Sequence, residues 1–388
     1  MIVLSLACTA SSTSQSARKT QKTPTSSEQH RRWWAKVKKK NYCYIDSVYW
    51  WSSKQSTRVV IRLPRPVKYE VHRLSDPPRL FIDLQRTILH PPKCTWTIGD
   101  GLVARVRAAQ YSTEVARVVL DLSEFQHYNV FTLTGPDRIV MDLFRDHTKE
   151  PPSPPASSSD PSLARQLGVK VKTIVIDPGH GGKDPGAVNR KGLKEKDIAL
   201  KIGLRLRNLL KKAGYTVYMT RDRDVYVPLE ARTAFANQKG ADLFISIHLN
   251  ARSSTSHGIE TYYLGFASTQ EAKQLAALEN AMAAGTMGDL EEVFHKIMKN
   301  TKIKESKQLA GIIQQRLTRK TGRKDRGVRT APFVVLIGAN MPSVLAEVGF
   351  ISHKEEGKLF TKTSYRRKIA EALAEAVKQY ADGLAMAR

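Results

Sequence analysis

The chain predicts an α/β protein, a mostly parallel sheet flanked by helices, preceded by a small all-β domain with an internal repeat. Three observations carry this. From Val171 onward apolar strand patterns alternate with helical ones, and repeated βα units imply a parallel sheet covered by helices. From Tyr42 to Phe144 the pattern is instead one of short strands, given twice. Between the two lies Lys149 to Ser159, with Pro-Pro-Ser-Pro-Pro-Ala-Ser-Ser-Ser, a composition that is stiff and then flexible. The resulting division is 1–41, 42–146, 147–170 and 171–388.

The start, Met1-Ile-Val-Leu-Ser-Leu-Ala-Cys8-Thr-Ala-Ser-Ser, is short, apolar and ends in small residues. It has the look of the tail of a secretory signal whose basic beginning is missing. An ordinary disordered N-terminus gives the same pattern. Cys8 makes a poor lipoprotein cleavage site, because Ser5 sits where a branched apolar residue is usual. Thr9 to Gln29, rich in Ser, Thr, Gln and Lys, has the composition of disorder. Arg31-Arg-Trp-Trp-Ala-Lys-Val-Lys-Lys-Lys40 suits either a solvated linker or a segment that docks on an anionic surface. No apolar run approaches the roughly 18 residues needed to span a bilayer.

The repeat follows. Arg58-Val-Val-Ile-Arg-Leu63 matches Arg117-Val-Val-Leu-Asp-Leu122, and Tyr69-Glu-Val71 matches Tyr128-Asn-Val130. Pro77-Pro-Arg-Leu-Phe-Ile-Asp-Leu84 matches Pro136-Asp-Arg-Ile-Val-Met-Asp-Leu143, all in one register without a gap. Alternating apolar residues in each copy argue for half-buried strands and a pseudo-symmetric all-β domain. Cys43 and Cys94 lie in this half; a disulfide and two free thiols are both compatible with the sequence. No CxxC-type spacing offers cysteine as a metal ligand.

In the second half Lys172–Ile176 reads as a strand. Glu195–Ala213 reads as a helix with Ile198, Ile202, Leu206, Leu209 and Leu210 on one face, ended by Gly214. Thr216–Thr220, Leu243–Ile247 and Ile259–Leu264 are strands and Leu229–Gln238 a helix. A helical stretch runs over roughly Thr269–Leu317. Phe333–Ile337 and Ser343–Glu347 are short strands, and Tyr365–Leu384 is the closing helix.

Four side chains stand where open α/β sheets keep their active sites, at strand ends and helix starts. His180 follows the first strand between glycines, Glu195 begins a helix, His248 ends the strand Leu243-Phe-Ile-Ser-Ile-His, and Glu347 ends Val344-Leu-Ala-Glu. Each has a plain alternative: a strand cap, a helix-favouring acid, a satisfied core histidine. Glu347, flanked by Leu345, Ala346 and Val348, is costly to bury without a purpose. Two histidines and a glutamate fit a catalytic zinc site with one position left for water, and a second glutamate can move the proton. Asp177 either hydrogen-bonds near the site or only ends its strand. His257, His295 and His353 lack such context and read as surface residues.

Asp177-Pro-Gly-His-Gly-Gly-Lys-Asp-Pro-Gly186, Glu195-Lys-Asp197, Ser246-Ile-His-Leu-Asn-Ala251 and Ala346-Glu-Val-Gly-Phe-Ile351 resemble the zinc-dependent N-acetylmuramoyl-L-alanine amidases, in particular the periplasmic AmiC-type cell-separation enzymes. The likeness covers roughly Val171 to Leu384. Tyr42–Phe144 resembles the AMIN domain, a β module that targets such amidases to peptidoglycan and the division site. The resemblance implies hydrolysis of the amide between the lactyl group of N-acetylmuramic acid and L-alanine of the stem peptide. It implies His180, Glu195 and His248 as zinc ligands, Glu347 as general base and acid, and a periplasmic location. It also implies that an insertion, here around Ala281–Asn300, blocks the zinc site until an activator with a LytM-like domain binds, with Glu279 or Glu292 reaching the metal. A helix pair that merely covers the sheet gives the same sequence.

The net charge of +27, from 63 Lys and Arg against 36 Asp and Glu, predicts attraction to a polyanion without choosing which. Stem peptides and associated wall polymers carry carboxylates and suit it. Rival readings are another zinc hydrolase, a non-catalytic wall-binding protein, and a nucleic-acid binder. The last has charge alone behind it, since no helix-turn-helix, zinc-finger or aromatic-platform motif is legible.

Overall fold

A computed structural model describes residues 4–5, 35, 37, 40–53, 56–123, 127–133, 137–145, 171–280 and 302–385. The described residues form two compact units, one up to Arg145 and one from Val171.

The first unit is all-β. Its strands are β1 (Leu4–Ser5), β2 (Cys43–Tyr44), β3 (Ser47–Ser52), β4 (Ser56–Leu63), β5 (Tyr69–Ser75), β6 (Pro78–Gln85), β7 (Thr87–Ile88), β8 (Lys93–Thr97), β9 (Val103–Gln110), β10 (Val115–Leu122), β11 (His127–Leu133) and β12 (Asp137–Phe144). They make two antiparallel sheets, ordered β1-β3-β4-β12-β11 and β5-β6-β10-β9-β8, with a small β2-β7 pair. One side of each sheet supplies a common core that includes Val59, Ile61, Leu80, Ile82, Val118, Leu120, Ile139 and Met141. Along β10 the alternation seen in the sequence is the pleat, with every second residue buried, whereas β4 and β12 are buried on both faces.

The repeat appears in an exchanged form. The first strand of one copy pairs with the last strand of the other: β4 with β12, and β10 with β6. This exchange brings equivalent residues of the two copies into equivalent ion pairs. Arg58 meets Asp142 at 2.6 Å, and Arg117 meets Asp83 at 2.6 Å. Cys43 and Cys94 are both buried free thiols in this unit.

The second unit contains β13 (Thr173–Pro178), α1 (Glu195–Lys212), β14 (Thr216–Met219), α2 (Leu229–Gln238), β15 (Leu243–Asn250), β16 (Ile259–Leu264), α3 (Gln270–Asn280), α4 (Lys302–Thr321), β17 (Asp325–Ala331), β18 (Ser343–Phe350), α5 (Lys354–Thr361) and α6 (Thr363–Ala385). The sheet order is β14-β13-β15-β18-β16-β17. All pairings are parallel except β16 with β18. The expected mostly parallel sheet is what forms, and the single antiparallel pairing turns the start of β16 toward the carboxyl end of β18.

On one face Ile174, Ile176, Ile245, Ile247, Val344 and Ala346 meet Ile198, Ile202 and Leu206 of α1, Ile313 of α4 and Ile369 of α6. On the other face α2 docks by Arg232 and Thr233, whose hydroxyl donates to the Ile337 carbonyl at 3.1 Å. Among the described residues no helix is long and apolar enough to cross a membrane.

One expectation needs correction, and one strand was not foreseen. Phe333–Ile337 is not a strand: Val334–Leu336 is a single 3-10 turn between extended Phe333 and Ile337. All five residues are buried, and periodicity alone cannot separate a buried strand from any other buried apolar run. The strand β17 was not foreseen, because Asp325-Arg-Gly-Val-Arg-Thr-Ala is half-exposed and charged, as suits a sheet edge. The expected helical stretch Thr269–Leu317 is realised at its two ends by α3 and α4, while residues 281–301 lie outside the described residues.

Candidate metal centre

The loop after β13 is held from beneath by arginines. Arg221 donates to the carbonyls of Pro178 at 2.9 Å and Gly179 at 2.7 Å. Arg232 donates to the carbonyls of Pro178 and His180, each at 3.0 Å, and to Asp177 at 2.8 Å. Asp177, fully buried, also accepts from Thr220 at 2.5 Å and Ser246 at 2.7 Å. Burial works against its charge, but Arg232, Thr220 and Ser246 hold the carboxyl below its ordinary range.

This anchorage keeps His180 at φ +59°, left-handed backbone that a non-glycine residue adopts only at a cost. The glycines around it are required by closeness. A Cβ on Gly179 would fall 2.4 Å from Cε1 of His248. A Cβ on Gly186, at φ +63°, would fall 2.6 Å from both Glu195 Oε2 and His180 Cδ2.

Side chains alternate along β15, so His248 shares a face with Ser246, away from the apolar contacts of Ile245 and Ile247. Glu195 opens α1, and its carboxylate is oriented by two backbone donors, Ala187 N–H at 2.8 Å and Leu249 N–H at 2.9 Å. Glu279 arrives from the last turn of α3. Asn280 beside it clamps the helix end, donating to the Pro332 carbonyl at 2.8 Å and accepting from Val334 N–H at 3.0 Å.

These four side chains converge. His180 Nε2 lies 3.1 Å from Glu195 Oε1 and 3.1 Å from Glu279 Oε2. His248 Nδ1 lies 3.0 Å from each of the same two oxygens. The distances suit hydrogen bonds but the directions do not: His180 Nε2, His248 Nδ1 and Glu279 Oε2 are buried without a hydrogen-bond partner. Lone pairs that point at a shared centre rather than at one another are what a cation requires. Ligands at about 2.0–2.1 Å on a tetrahedron stand roughly 3.3 Å apart, close to the spacings seen. His180 Nδ1 contacts Asp184 at 2.9 Å, the kind of outer contact that fixes a ligating ring. The donor set of two nitrogens and two oxygens therefore fits a zinc-like ion.

The four groups also shift one another's pKa values. Burial lowers the His248 pKa, but Glu279 and Glu195 raise it further, to about 10. Burial is likewise outweighed at His180 by Glu195, Glu279 and Asp184, which raise it well above the usual imidazole range. Glu195 and Glu279 are correspondingly lowered by the two imidazoles, against burial.

Glu347 stands next to His248 in the strand register and is fully buried. Neither of its carboxylate oxygens has a hydrogen-bond partner. Burial first, then the charges of Glu279, Glu195 and Glu260, push its pKa well above the ordinary carboxylate range, with His248 pulling the other way. Such a carboxyl holds a proton more readily than an exposed one, as a group that must deliver a proton requires. Glu260, its register partner on β16, has partners instead. It accepts from Arg326 at 2.6 Å, Tyr262 at 2.7 Å and Asn250 at 3.2 Å.

The structure thus brings His180, Glu195 and His248 together with Glu279, one of the two glutamates expected to reach the metal, and sets Glu347 beside His248. Glu292, His295 and the segment Ala281–Asn300 lie outside the described residues. His257 and His353 are only partly covered and stack on each other with centroids 5.2 Å apart. The sequence reading passed over Asp184, Arg232 and Glu260. Two of them left a signal: Asp184 sits inside the glycine-rich motif, and Glu260 is a lone charge in the apolar strand Ile259–Leu264.

A family model described as N-acetylmuramoyl-L-alanine amidase matches residues 174–379. A second, described as AMIN domain, matches residues 47–130. N-acetylmuramoyl-L-alanine amidase AmiC of Neisseria meningitidis serogroup B is 31% identical over 366 residues, covering 85% of this chain and 88% of the relative. The AmiC of Escherichia coli O6:H1 is 29% identical over 374 residues, covering 87% and 90%. Among solved structures, amidase AmiC2 of Nostoc punctiforme shares 31% identity over 54% of this chain and 96% of that one, with a TM-score of 0.42.

Proposed function

The chain belongs to the N-acetylmuramoyl-L-alanine amidase family, and from that premise we propose how its residues divide the chemistry. The enzyme is a hydrolase of peptidoglycan that cleaves the amide between N-acetylmuramic acid and L-alanine of the stem peptide. His180, Glu195 and His248 hold a zinc ion, and Glu347 is the general base and acid. Bound there, zinc would act as a Lewis acid toward the amide carbonyl and make water a better nucleophile near neutral pH. Glu347 takes the proton of the attacking water and delivers it to the departing nitrogen of L-alanine. The products are the lactyl carboxylate and a stem peptide with a free amino terminus. The observation that carries this reading is the convergence of four buried donor atoms beside an unpartnered, protonatable carboxyl.

Glu279 occupies the fourth position that a catalytic zinc site needs for water. We therefore read this arrangement as closed. Helix α3 must withdraw for turnover, and an activator with a LytM-like domain that binds near 281–300 is the proposed trigger. We take residues 1–41 as a signal remnant and basic segment, 42–146 as the peptidoglycan-targeting domain, 147–170 as the linker and 171–388 as the catalytic domain. The proposed place of action is the periplasm, in separating daughter cells.

The test is digestion of purified peptidoglycan by the full chain, by Glu279→Ala and by Glu279→Ala with Glu347→Gln, each with its zinc content measured. Glu279→Ala is expected to release stem peptides beginning with L-alanine faster than the unaltered chain. Adding Glu347→Gln is expected to cost at least about 10²-fold in rate while zinc is retained. Equal rates with and without Glu279 would reject the closed state. Undiminished hydrolysis in the Glu347→Gln protein would reject its role.

A further inference from the structure

The start of α3 touches the catalytic unit through charges that the closed-site reading does not use. Glu271 Oε2 lies 3.0 Å from Arg329 Nη1 and 3.9 Å from Arg252 Nη1. Arg252 also donates to the Glu271 carbonyl at 2.9 Å, and Arg329 to the Thr269 hydroxyl at 3.1 Å. Behind them, Arg326 is engaged with Glu260 at 2.6 Å, and Arg329 stands 3.7 Å from the same carboxylate. Three guanidinium groups here share two carboxylates, and one of those two belongs to the helix that must leave.

The two kinds of partner are built differently. The side chains of Arg252 and Arg329 are 18% and 16% exposed, whereas that of Glu271 is 55% exposed. The arginines are largely covered where they stand, and Glu271 is the more exposed and more readily removed partner. Once it goes, one carboxylate faces three guanidinium groups, and the cleft is left short of an anion. Guanidinium is the side-chain group best matched to a carboxylate in geometry and charge.

We propose that Arg252 and Arg329 form a subsite for a carboxylate of the stem peptide, and that Glu271 fills it in the closed form as an internal substitute for substrate. The inference rests on the amidase reading above and deepens it by naming what recognises the peptide beyond the scissile amide. Reach is adequate. Glu260 is the register partner of Glu347, one strand spacing of about 5 Å away, and Arg329 begins one contact beyond it. An extended peptide rises about 3.3 Å per residue, so a carboxylate two or three residues past the cleaved bond spans that interval.

The experiment uses the zinc-loaded full chain carrying Glu279→Ala. Two soluble substrates are compared, N-acetylmuramoyl-L-alanyl-D-glutamate with a free α-carboxylate and the same molecule with that group amidated. The free carboxylate is expected to give the lower KM. Arg329→Gln should raise KM for it about tenfold, the worth of a charge-assisted hydrogen bond, with kcat changed less than about twofold. KM for the amidated substrate should hardly move, Arg252→Gln should act in the same direction, and Arg329→Lys should recover part of the loss. Equal effects of Arg329→Gln on both substrates would overturn the subsite and leave the pair as a simple latch for α3. Direct binding of L-alanyl-D-glutamate by calorimetry separates this from the amidase reading. Loss of that binding in a folded Arg329→Gln protein supports the subsite even if neither substrate is cleaved. Unchanged binding overturns it.

Discussion

Asp177 shows how much of this site is set one layer below the donors. It is the last residue of its strand before Pro178, and it ties β13 to Arg232 of α2, to Thr220 and to Ser246 of β15. Arg232 in turn holds the carbonyl of His180, so one buried pair fixes the loop that aims an imidazole. Removing one partner of such a pair leaves the other charge buried and unpaired. Asp177→Asn should therefore cost about 3–5 kcal/mol, read from denaturant unfolding of the metal-free protein near neutral pH. The sign of its pH dependence follows from the lowered pKa. Between the folded value and the unfolded value of about 3.9 the native state binds fewer protons, so the stabilisation is complete above that range. It is lost as pH falls through the folded value. The gap between Asp177→Asn and the unaltered chain should narrow in acid, and a gap independent of pH would contradict this account. The sequence placed Asp177 correctly and left its purpose open, because nothing local tells a strand-ending aspartate that an arginine 55 positions later will meet it.

Among the elements, α3 is the one on which the proposed closure turns. It is tied at its start by Glu271 to Arg252 and Arg329, and at its end by Asn280 to Pro332 and Val334. Asn280 does not enter the metal cluster, yet it fixes the residue that does. Asn280→Ala should release the helix end, with lost and orphaned hydrogen bonds worth about 1–3 kcal/mol. The expected readouts are faster amide hydrogen exchange in α3 and several-fold higher basal release of stem peptides from the full chain. Faster exchange without any gain in activity would separate helix docking from closure. The elements themselves were largely legible. Leu229–Gln238 was placed to the residue, and α1 was placed to within one residue of its end. Two strands run longer than expected, β15 to Asn250 and β18 to Phe350, so His248 and Glu347 lie inside them. Polar residues inside a strand look like its end when only the apolar run is counted.

For the whole molecule, the charge of +27 sets long-range behaviour rather than fold. If the basic chain is drawn to the carboxylates of the wall, retention of the full chain on purified peptidoglycan should fall steeply from about 0.05 M to about 0.5 M salt, as screening shortens from roughly 14 Å to roughly 4 Å. Co-sedimentation measures this, and retention indifferent to salt would assign binding to uncharged contacts. The exchanged repeat is also a property of this scale. Each ion pair, Arg58 with Asp142 and Arg117 with Asp83, joins one copy to the other, so neither copy completes its pairing alone.

The sequence by itself determined most of the order of elements, the repeat, the boundary in composition and which four side chains to single out. These follow from local properties: the period of apolar residues, the turn chemistry of glycine and proline, and the cost of a charge in an apolar run. Only the tertiary structure decided that His248 and Glu347 lie opposite each other, that the repeat exchanges strands, that Phe333–Ile337 closes as a turn, and that Glu279 rather than a water-sized gap completes the cluster. Those outcomes depend on which strand lies beside which and in what register. Long-range packing sets both, and no local pattern in the chain encodes them.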